Sequence, residues 1–203
     1  IQDYHRGVIV GESTFGKGTV QTVLDLKRFI NDAEEVGELK LTFQKFYRVT
    51  GSSTQHKGIT PDVLLPSAFE ANEYGESASP SALPWDVIRG TSFQRADHVS
   101  EKVLVGLNKS YQERVKFDAH LKKYIGETEE LKRNLAQTKI SLNEAKRKQE
   151  MDEVESRKKA NEGLNTKISG KDGLPATDLK QLDDEYLREG LLILTELLTR
   201  RIG

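Results

Sequence analysis

The first part of the chain shows apolar runs and alternating patterns that are typical of β-strands. Residues 7–11 form an apolar run closed by glycine, which indicates a buried strand. Residues 19–26 alternate loosely and are rich in β-branched side chains, whereas residues 39–49 alternate clearly until Phe46 breaks the phase. Residues 62–65 lie between two prolines, which favours a last short strand at an edge. The pattern therefore predicts a β-rich first segment.

The second half of the chain has the spacing of helices. An apolar stripe at four-residue steps runs from Val99 to Val115 and predicts one helix. Steps of three and four alternate over residues 121–145, so a second helical stretch resembles a short coiled-coil seam. Leucines at helical spacing and two arginines in the last turn predict a final helix from about Asp183 through Leu198.

Composition divides the chain into three parts. Residues 67–97 contain glycine, two prolines and several serines with little periodicity, which is typical of a linker or arm. Trp85, the only tryptophan, is expected to anchor this arm on a neighbouring surface. We therefore predict an α+β fold, with a β-rich segment over residues 1–66, an arm over 67–97 and a helical domain over 98–203.

The charge balance and residue usage exclude several classes of function. The chain has 31 Lys or Arg and 32 Asp or Glu, and this net charge of -1 argues against a nucleic-acid or membrane-surface binder. Cysteine is absent, which excludes disulfides and thiolate chemistry in this sequence. The longest apolar run, residues 191–194, is far short of the roughly 18 residues that span a bilayer. No metal site is predicted, because ligand spacing is absent from His5, His56, His98 and His120.

Residues 11–21 carry the most chemical information. Gly11, Gly16 and Lys17 fit a phosphate-binding loop, which needs glycine, four residues, glycine, lysine and then serine or threonine. Gly18 instead stands where the Mg²⁺-binding hydroxyl should be, and the β-branched residues that follow favour a strand over the required helix. A nucleotide-binding loop is therefore the least favoured of the alternatives.

Lys17 has a second interpretation, as a general base. A lysine amine must be neutral to take a proton from a serine hydroxyl, whereas an ordinary lysine has a pKa of about 10.4. Burial in an apolar pocket without a carboxylate neighbour favours the neutral form of a lysine. Flanking glycines allow backbone to pack closely, and Phe15 can help to exclude water. On these residues alone, a solvated lysine in a surface turn is the simpler alternative.

This stretch resembles the carboxyl-terminal processing peptidases, also called tail-specific proteases, which use a Ser-Lys dyad. The resemblance is close from residue 1 to about 90, and beyond residue 98 it is limited to a similar charged helical extension. Residues 83–86 are also similar to the long periplasmic branch of the family. The other matching residues lie in four stretches: 11–21, 43–49, 53–55 and 57–62.

The resemblance implies roles for three side chains. Lys17 is the general base and Gln21 is the residue that orients it, although four residues of straight strand span about 13 Å, so a bend or leaning side chains must close the gap. Asp3 matches an acidic position associated with activity, while a structural role as a cap or in a surface loop is equally open. The family's nucleophilic serine and its PDZ domain belong upstream, so we expect this chain alone to be an inactive fragment.

The resemblance also implies a periplasmic location, no cofactor, and protein substrates with unstructured apolar C-terminal tails. The leading hypothesis is therefore the C-terminal part of a serine-type endopeptidase. The charged, amphipathic helical half supports an alternative, a protein-interaction or scaffold module that binds an adaptor, closes over the protease or dimerises. No nucleic-acid partner and no membrane span are expected.

Overall fold

The computed structural model describes residues 1–30, 36–69, 71–168 and 184–202 of the chain. The strands in these ranges are β1 (Val10–Gly11), β2 (Thr19–Asp25), β3 (Glu38–Lys45) and β4 (Val63–Leu64). The helices are α1 (Ala71–Tyr74), α2 (Glu101–Phe117), α3 (Ala119–Leu135), α4 (Glu144–Ile168) and α5 (Glu185–Ile202). These elements confirm the predicted α+β class.

The chain divides into two compact units, each of which is described by itself. Within the described residues, the first unit contains Ile1–Leu64 and Phe69–Ser100, and it includes β1 to β4 and α1. The second unit contains Leu65–Ala68 and the described residues from Glu101 onward, with α2 to α5. The arm expected between two domains is thus grouped for the most part with the β-rich segment.

The antiparallel pair of β2 and β3 is the longer of the two sheets described in the first unit. Val20 lies opposite Gln44 and Gln21 opposite Thr42, which leaves Phe43 as the extra residue of a β-bulge. An extra residue reverses the faces of the strand beyond it, because side chains alternate with a period of two. The phase change in the alternating pattern therefore lies three residues earlier than the sequence predicts.

A second, parallel pair is formed by β1 and β4, in which Val10 lies opposite Val63. The Val63 side chain is fully buried. Asp62, just before β4, accepts hydrogen bonds from the Ile9 backbone N–H at 2.8 Å and from Gln2 Nε2 at 2.9 Å. This carboxylate thus fixes both the start of the chain and the entry to β1.

The arm packs against the loops of the first unit through polar contacts. The Glu76 backbone N–H donates to the Phe15 carbonyl at 2.9 Å. Trp85, the expected anchor, donates its indole N–H to the Ser53 carbonyl at 2.9 Å, and Lys57 Nζ lies 3.4 Å from the centre of its ring. A cation over a tryptophan face is attracted by the ring quadrupole. The indole is therefore held at its N–H by Ser53 and at its face by Lys57.

The second unit is built around a small apolar core shared by three helices. Leu107 and Tyr111 of α2, Leu121 of α3 and Ile193 of α5 are all buried. Burial, and then the charge of the nearby Glu189, raises the pKa of the Tyr111 phenol to about 12. Leu107 and Tyr111 belong to the stripe predicted for the first helix, whereas Ile193 lies outside the leucine stripe predicted for the last helix, whose leucines are exposed.

Charged pairs complete the packing between α2 and α5. Glu189 is fully buried, and its Oε2 accepts from Arg114 Nε at 3.1 Å and Nη2 at 2.9 Å. Glu196 Oε1 accepts from Ser110 Oγ at 2.5 Å and from Arg200 Nη2 at 2.6 Å. A buried carboxylate is costly unless it is paired, so these contacts fix how the two helices meet.

The seam predicted over residues 121–145 is wrong as one continuous helix. α3 ends at Leu135, and the residues that follow are not helical until α4 begins. Thr138 and Ile140 are β-branched and have low helix propensity, while Asn143 caps α4 by accepting from the Lys146 N–H at 3.0 Å. None of the described helices has the length and apolar character that a membrane span requires.

Asp118 joins the cap of α3 to a charge on α5. Its carboxylate accepts from the backbone N–H groups of His120 and Leu121 at 2.8 and 3.1 Å, and from Arg188 Nη2 at 2.7 Å. Burial alone would raise the pKa of Asp118, but the bonds from Arg188 and the two amides outweigh it and hold the pKa below its ordinary value. The two helices are therefore coupled through one carboxylate.

Replacing Asp118 by alanine is expected to lower the free energy of unfolding of the helical unit by about 2–4 kcal/mol. The substitution removes the cap and leaves Arg188, whose side chain is 10% exposed, without its closest partner. Urea unfolding followed by circular dichroism measures the change. Asp118→Asn keeps a cap oxygen and should cost less, and an unchanged stability of Asp118→Ala would contradict this role.

The same carboxylate predicts a dependence of stability on pH. Because the pKa of Asp118 is lower in the folded state than in the unfolded state, its contribution is present above the unfolded value of about 3.9. That contribution is lost as the pH falls through the folded-state pKa. Acid titration of the unfolding midpoint should therefore show a smaller loss for Asp118→Asn than for the wild type.

Candidate active site

Two glycines set the backbone of the loop that joins β1 to β2, residues 12–18, hereafter the lysine loop. Gly16 has a φ of +86°, and a Cβ there would lie 2.7 Å from the His56 carbonyl oxygen. A Cβ at Gly18 would lie 2.6 Å from the Gln55 nitrogen. The His56 N–H donates to the Gly16 carbonyl at 2.8 Å. The loop can approach residues 55–56 this closely only because Gly16 and Gly18, on either side of Lys17, lack side chains.

The buried side chain of Gln55 is hydrogen-bonded to the backbone of the lysine loop. Its side chain is fully buried, its Oε1 accepts from the Gly18 N–H at 2.7 Å, and its Nε2 donates to Glu76 Oε1 at 3.1 Å. A buried amide is stable only when its donors and acceptors are satisfied, so this geometry specifies glutamine. The sequence places Gln55 in a matching stretch, but no local pattern assigned it a role.

Lys17 is held by two oxygens. Its Nζ donates to Thr19 Oγ1 at 3.2 Å and lies 3.7 Å from Glu76 Oε1. The Lys17 side chain is 41% exposed and that of Glu76 is 14% exposed. Phe15, expected to help exclude water, is 56% exposed. Among the described residues, the lysine is therefore an ion-paired group that solvent can reach.

Gln21 lies on β2, where its Nε2 donates to Thr42 Oγ1 at 3.2 Å. Thr19 and Gln21 are alternate residues of this strand, so their side chains lie on the same face. Lys17 donates to Thr19, the nearer of the two residues. The orienting role of Gln21 stays a prediction, and Thr19 is the residue between them that the sequence reasoning missed.

Asp3 lies in an ion pair with Arg48. Arg48 Nε donates to Asp3 Oδ2 at 3.0 Å, and Nη2 donates both to Asp3 Oδ1 and, at 2.9 Å, to Gln2 Oε1. Gln2 in turn donates to Asp62 Oδ1 at 2.9 Å. This network ties the start of the chain to the segment after β3 and to the entry of β4, which is a structural contribution. The association of Asp3 with activity stays a prediction.

A second charged cluster lies where β3 meets the arm. Lys45 Nζ donates to Asp86 Oδ1 at 2.7 Å, and the Tyr47 hydroxyl donates to Asp86 Oδ2 at 3.0 Å. The hydrogen bond from Lys45 is the largest cause that holds the pKa of Asp86 below its ordinary value. The arm is thus fastened to the strand by a charged contact as well as by Trp85.

The contacts of the lysine loop do not favour a phosphate-binding loop. The lysine loop leads into β2, a strand, whereas a phosphate-binding loop needs a helix at this point. Among the residues that the structure describes, no group of three or more His, Asp or Glu is arranged to hold a metal ion.

The chain matches two family models over most of its length. Residues 1–65 match Peptidase family S41, and residues 69–199 match the C-terminal domain of tail specific protease (DUF3340). The chain belongs to the tail-specific protease family. The lysine loop, Gln55 and Asp3 lie in the first match, and Glu76 lies in the second.

Curated relatives agree with this membership. The chain is 37% identical over 193 residues to the tail-specific protease of Haemophilus influenzae, covering 92% of this chain and 27% of that protein. It is 42% identical over 65 residues to the carboxy-terminal-processing protease of Bartonella bacilliformis, covering 32% of this chain and 13% of that protein. The chloroplastic C-terminal processing peptidase of Tetradesmus obliquus is 38% identical over 65 residues. The chain thus spans about a quarter or less of the length of these relatives.

Replacing Gly18 by alanine is expected to destabilise the first unit by about 1–3 kcal/mol. The new Cβ would overlap the Gln55 nitrogen and Cα, and backbone atoms cannot move aside as the end of a flexible side chain can. Trp85, the only tryptophan, lies in this unit, so its fluorescence reports the unfolding directly.

Gly126→Ala is the matched control for Gly18→Ala. Gly126 lies in α3, and a Cβ there meets nothing within 4 Å. Alanine should therefore stabilise the helix by roughly 0.5–1 kcal/mol. If Gly18→Ala does not lower the free energy of unfolding, or if Gly126→Ala lowers it by the same amount, the close packing of the lysine loop is wrong.

Proposed function

We propose that the chain is the C-terminal part of a periplasmic serine-type endopeptidase that cleaves proteins near their C-terminal tails with a Ser-Lys dyad. The family membership and the names of the relatives support a protease. The observation that carries the residue assignment is the lysine loop, in which two close-packed glycines and Gln55 present Lys17 beside Thr19.

In this proposal Lys17 acts as base and then as acid. A serine in the longer protein attacks the carbonyl carbon of the scissile peptide bond, while the neutral Lys17 amine takes the hydroxyl proton. Lys17 then gives that proton to the leaving amine as the carbon–nitrogen bond breaks. Water hydrolyses the resulting acyl-enzyme with Lys17 again as base, which restores the serine. This dyad chemistry uses the side chains alone.

In this proposal two polar residues of β2 orient the amine for these steps. Thr19 Oγ1 accepts a hydrogen bond from Lys17 Nζ, so a neutral amine would still be directed by it. Gln21 lies on the same face of β2, and we assign it a role in orienting Lys17 once the serine is in place. Because the serine is supplied by another part of the protein, we expect the chain by itself to leave peptides uncut.

The substrates in this proposal are proteins with unstructured, apolar C-terminal tails.

A second candidate function belongs to the helical unit, which would bind an adaptor protein. The observation in its favour is an exposed apolar stripe on α5 with coiled-coil spacing, in which 38–52% of each side chain is exposed: Leu187, Leu191, Leu194 and Leu198.

Substituting Lys17 in the complete protease tests the catalytic assignment. Lys17→Ala removes the base and Lys17→Arg keeps a charge that stays protonated, so both should lower kcat/KM by at least about 100-fold. The substrate is a folded reporter with an unstructured apolar tail. Lys27→Ala, at an exposed lysine in the turn after β2, is the control and should keep wild-type activity.

Circular dichroism and thermal unfolding confirm that each variant of the complete protease is folded before its activity is compared. Undiminished cleavage by folded Lys17→Ala would sink the dyad assignment. Loss of cleavage in Lys27→Ala as well would mean that the substitutions act through stability or expression instead of chemistry.

A further inference from the structure

Glu76 is the feature of the site that the proposed dyad does not use. It begins the short 3₁₀ turn Glu76–Ala78 in the arm, more than fifty residues after the lysine in sequence. Its Oε1 lies 3.7 Å from Lys17 Nζ, and its side chain is only 14% exposed. A carboxylate this close stabilises an ammonium ion, which is the form of lysine that cannot accept a proton.

Two further contacts hold Glu76 in this place. Its backbone N–H donates to the Phe15 carbonyl at 2.9 Å, and its Oε1 accepts from Nε2 of the buried Gln55 at 3.1 Å. Gln55 is itself fixed by the Gly18 N–H. The carboxylate is therefore positioned by the same loop that presents Lys17, and a surface side chain that meets the lysine by chance would lack these bonds.

We propose that Glu76 is a restraining residue, which holds Lys17 as an ion-paired ammonium in a resting state of the protease. Cleavage then requires the carboxylate to release the lysine, which gives its proton to solvent and turns to the serine. This inference rests on the proposed role of Lys17 as general base. It adds that the arm, matched to a different family model from the lysine loop, controls how much of the enzyme is ready to react.

The size of the effect follows from the exposure of the pair. Lys17 is 41% exposed, so water screens the attraction and the restraint is modest. Removing the charge should therefore raise kcat about two- to five-fold, and KM should stay the same because Glu76 does not contact substrate in this account. A restraint of this size is also sensitive to ionic strength, since salt screens a partly exposed pair.

The test compares Glu76→Gln with the wild type in the complete protease at constant pH. Glutamine keeps an oxygen that can accept from Gln55 and loses only the charge, so the arm should stay docked. We expect a two- to five-fold higher kcat at unchanged KM. We also expect wild-type kcat to rise with added salt and the kcat of the variant to be insensitive to it.

Glu73→Gln is the matched control, because Glu73 lies in the same arm and its side chain is exposed. It should reproduce the wild-type rate and salt dependence. If Glu76→Gln is inactive or unchanged while wild-type kcat shows no rise with salt, the restraint is wrong. The salt dependence of the wild type alone keeps the proposal testable if Glu76→Gln does not fold.

The two proposals fail in different ways. Activity in Lys17→Ala would overturn the dyad and with it the restraint. A dead Lys17→Ala together with a lower kcat in Glu76→Gln would keep the dyad and overturn the restraint, because the carboxylate would then be aiding the lysine.

Discussion

The geometry of the candidate site depends on one buried amide, the side chain of Gln55. It bonds the backbone of the lysine loop on one side and the Glu76 carboxylate of the arm on the other. Both bonds are needed, because a fully buried amide group without partners costs about 1–3 kcal/mol for each unmade bond. Glycine at 16 and 18 lets the loop come close enough for them to form. The position of Lys17 thus depends on a buried amide and on two glycines that flank it.

The helical unit uses the same principle with charges in place of an amide. Its apolar core is small, and buried or half-buried ion pairs decide how its helices meet. Asp118 both caps α3 and pairs with Arg188 of α5, so local helix termination and tertiary packing share one residue. Such a unit tolerates a polar exterior, which explains how a chain with 31% charged residues still forms a packed domain.

Local sequence patterns predicted the helices and strands more accurately than they predicted the tertiary contacts. Alternation and β-branched residues located β2 and β3, and the apolar stripe located α2, because both signals are carried by neighbours in sequence. The predicted seam was too long, because apolar spacing alone does not show the low helix propensity of the residues after Leu135, where α3 ends. Lys17 was singled out because its loop resembles a specific motif, and its catalytic role stays a prediction. Gln55 and Glu76 were not singled out. The hydrogen bond between them joins residues 21 apart in sequence, across a turn and an arm that have no periodic pattern.

The central claim is that Lys17 activates a serine nucleophile, and covalent labelling measures that step without substrate binding. The complete protease and its Lys17→Ala variant would be treated with a fluorophosphonate, which reacts with activated serines. The account predicts labelling at least about 100-fold slower in the variant, since general-base assistance contributes that much or more. Equal labelling rates in two folded proteins would contradict it and would leave Lys17 with a purely structural role in the loop.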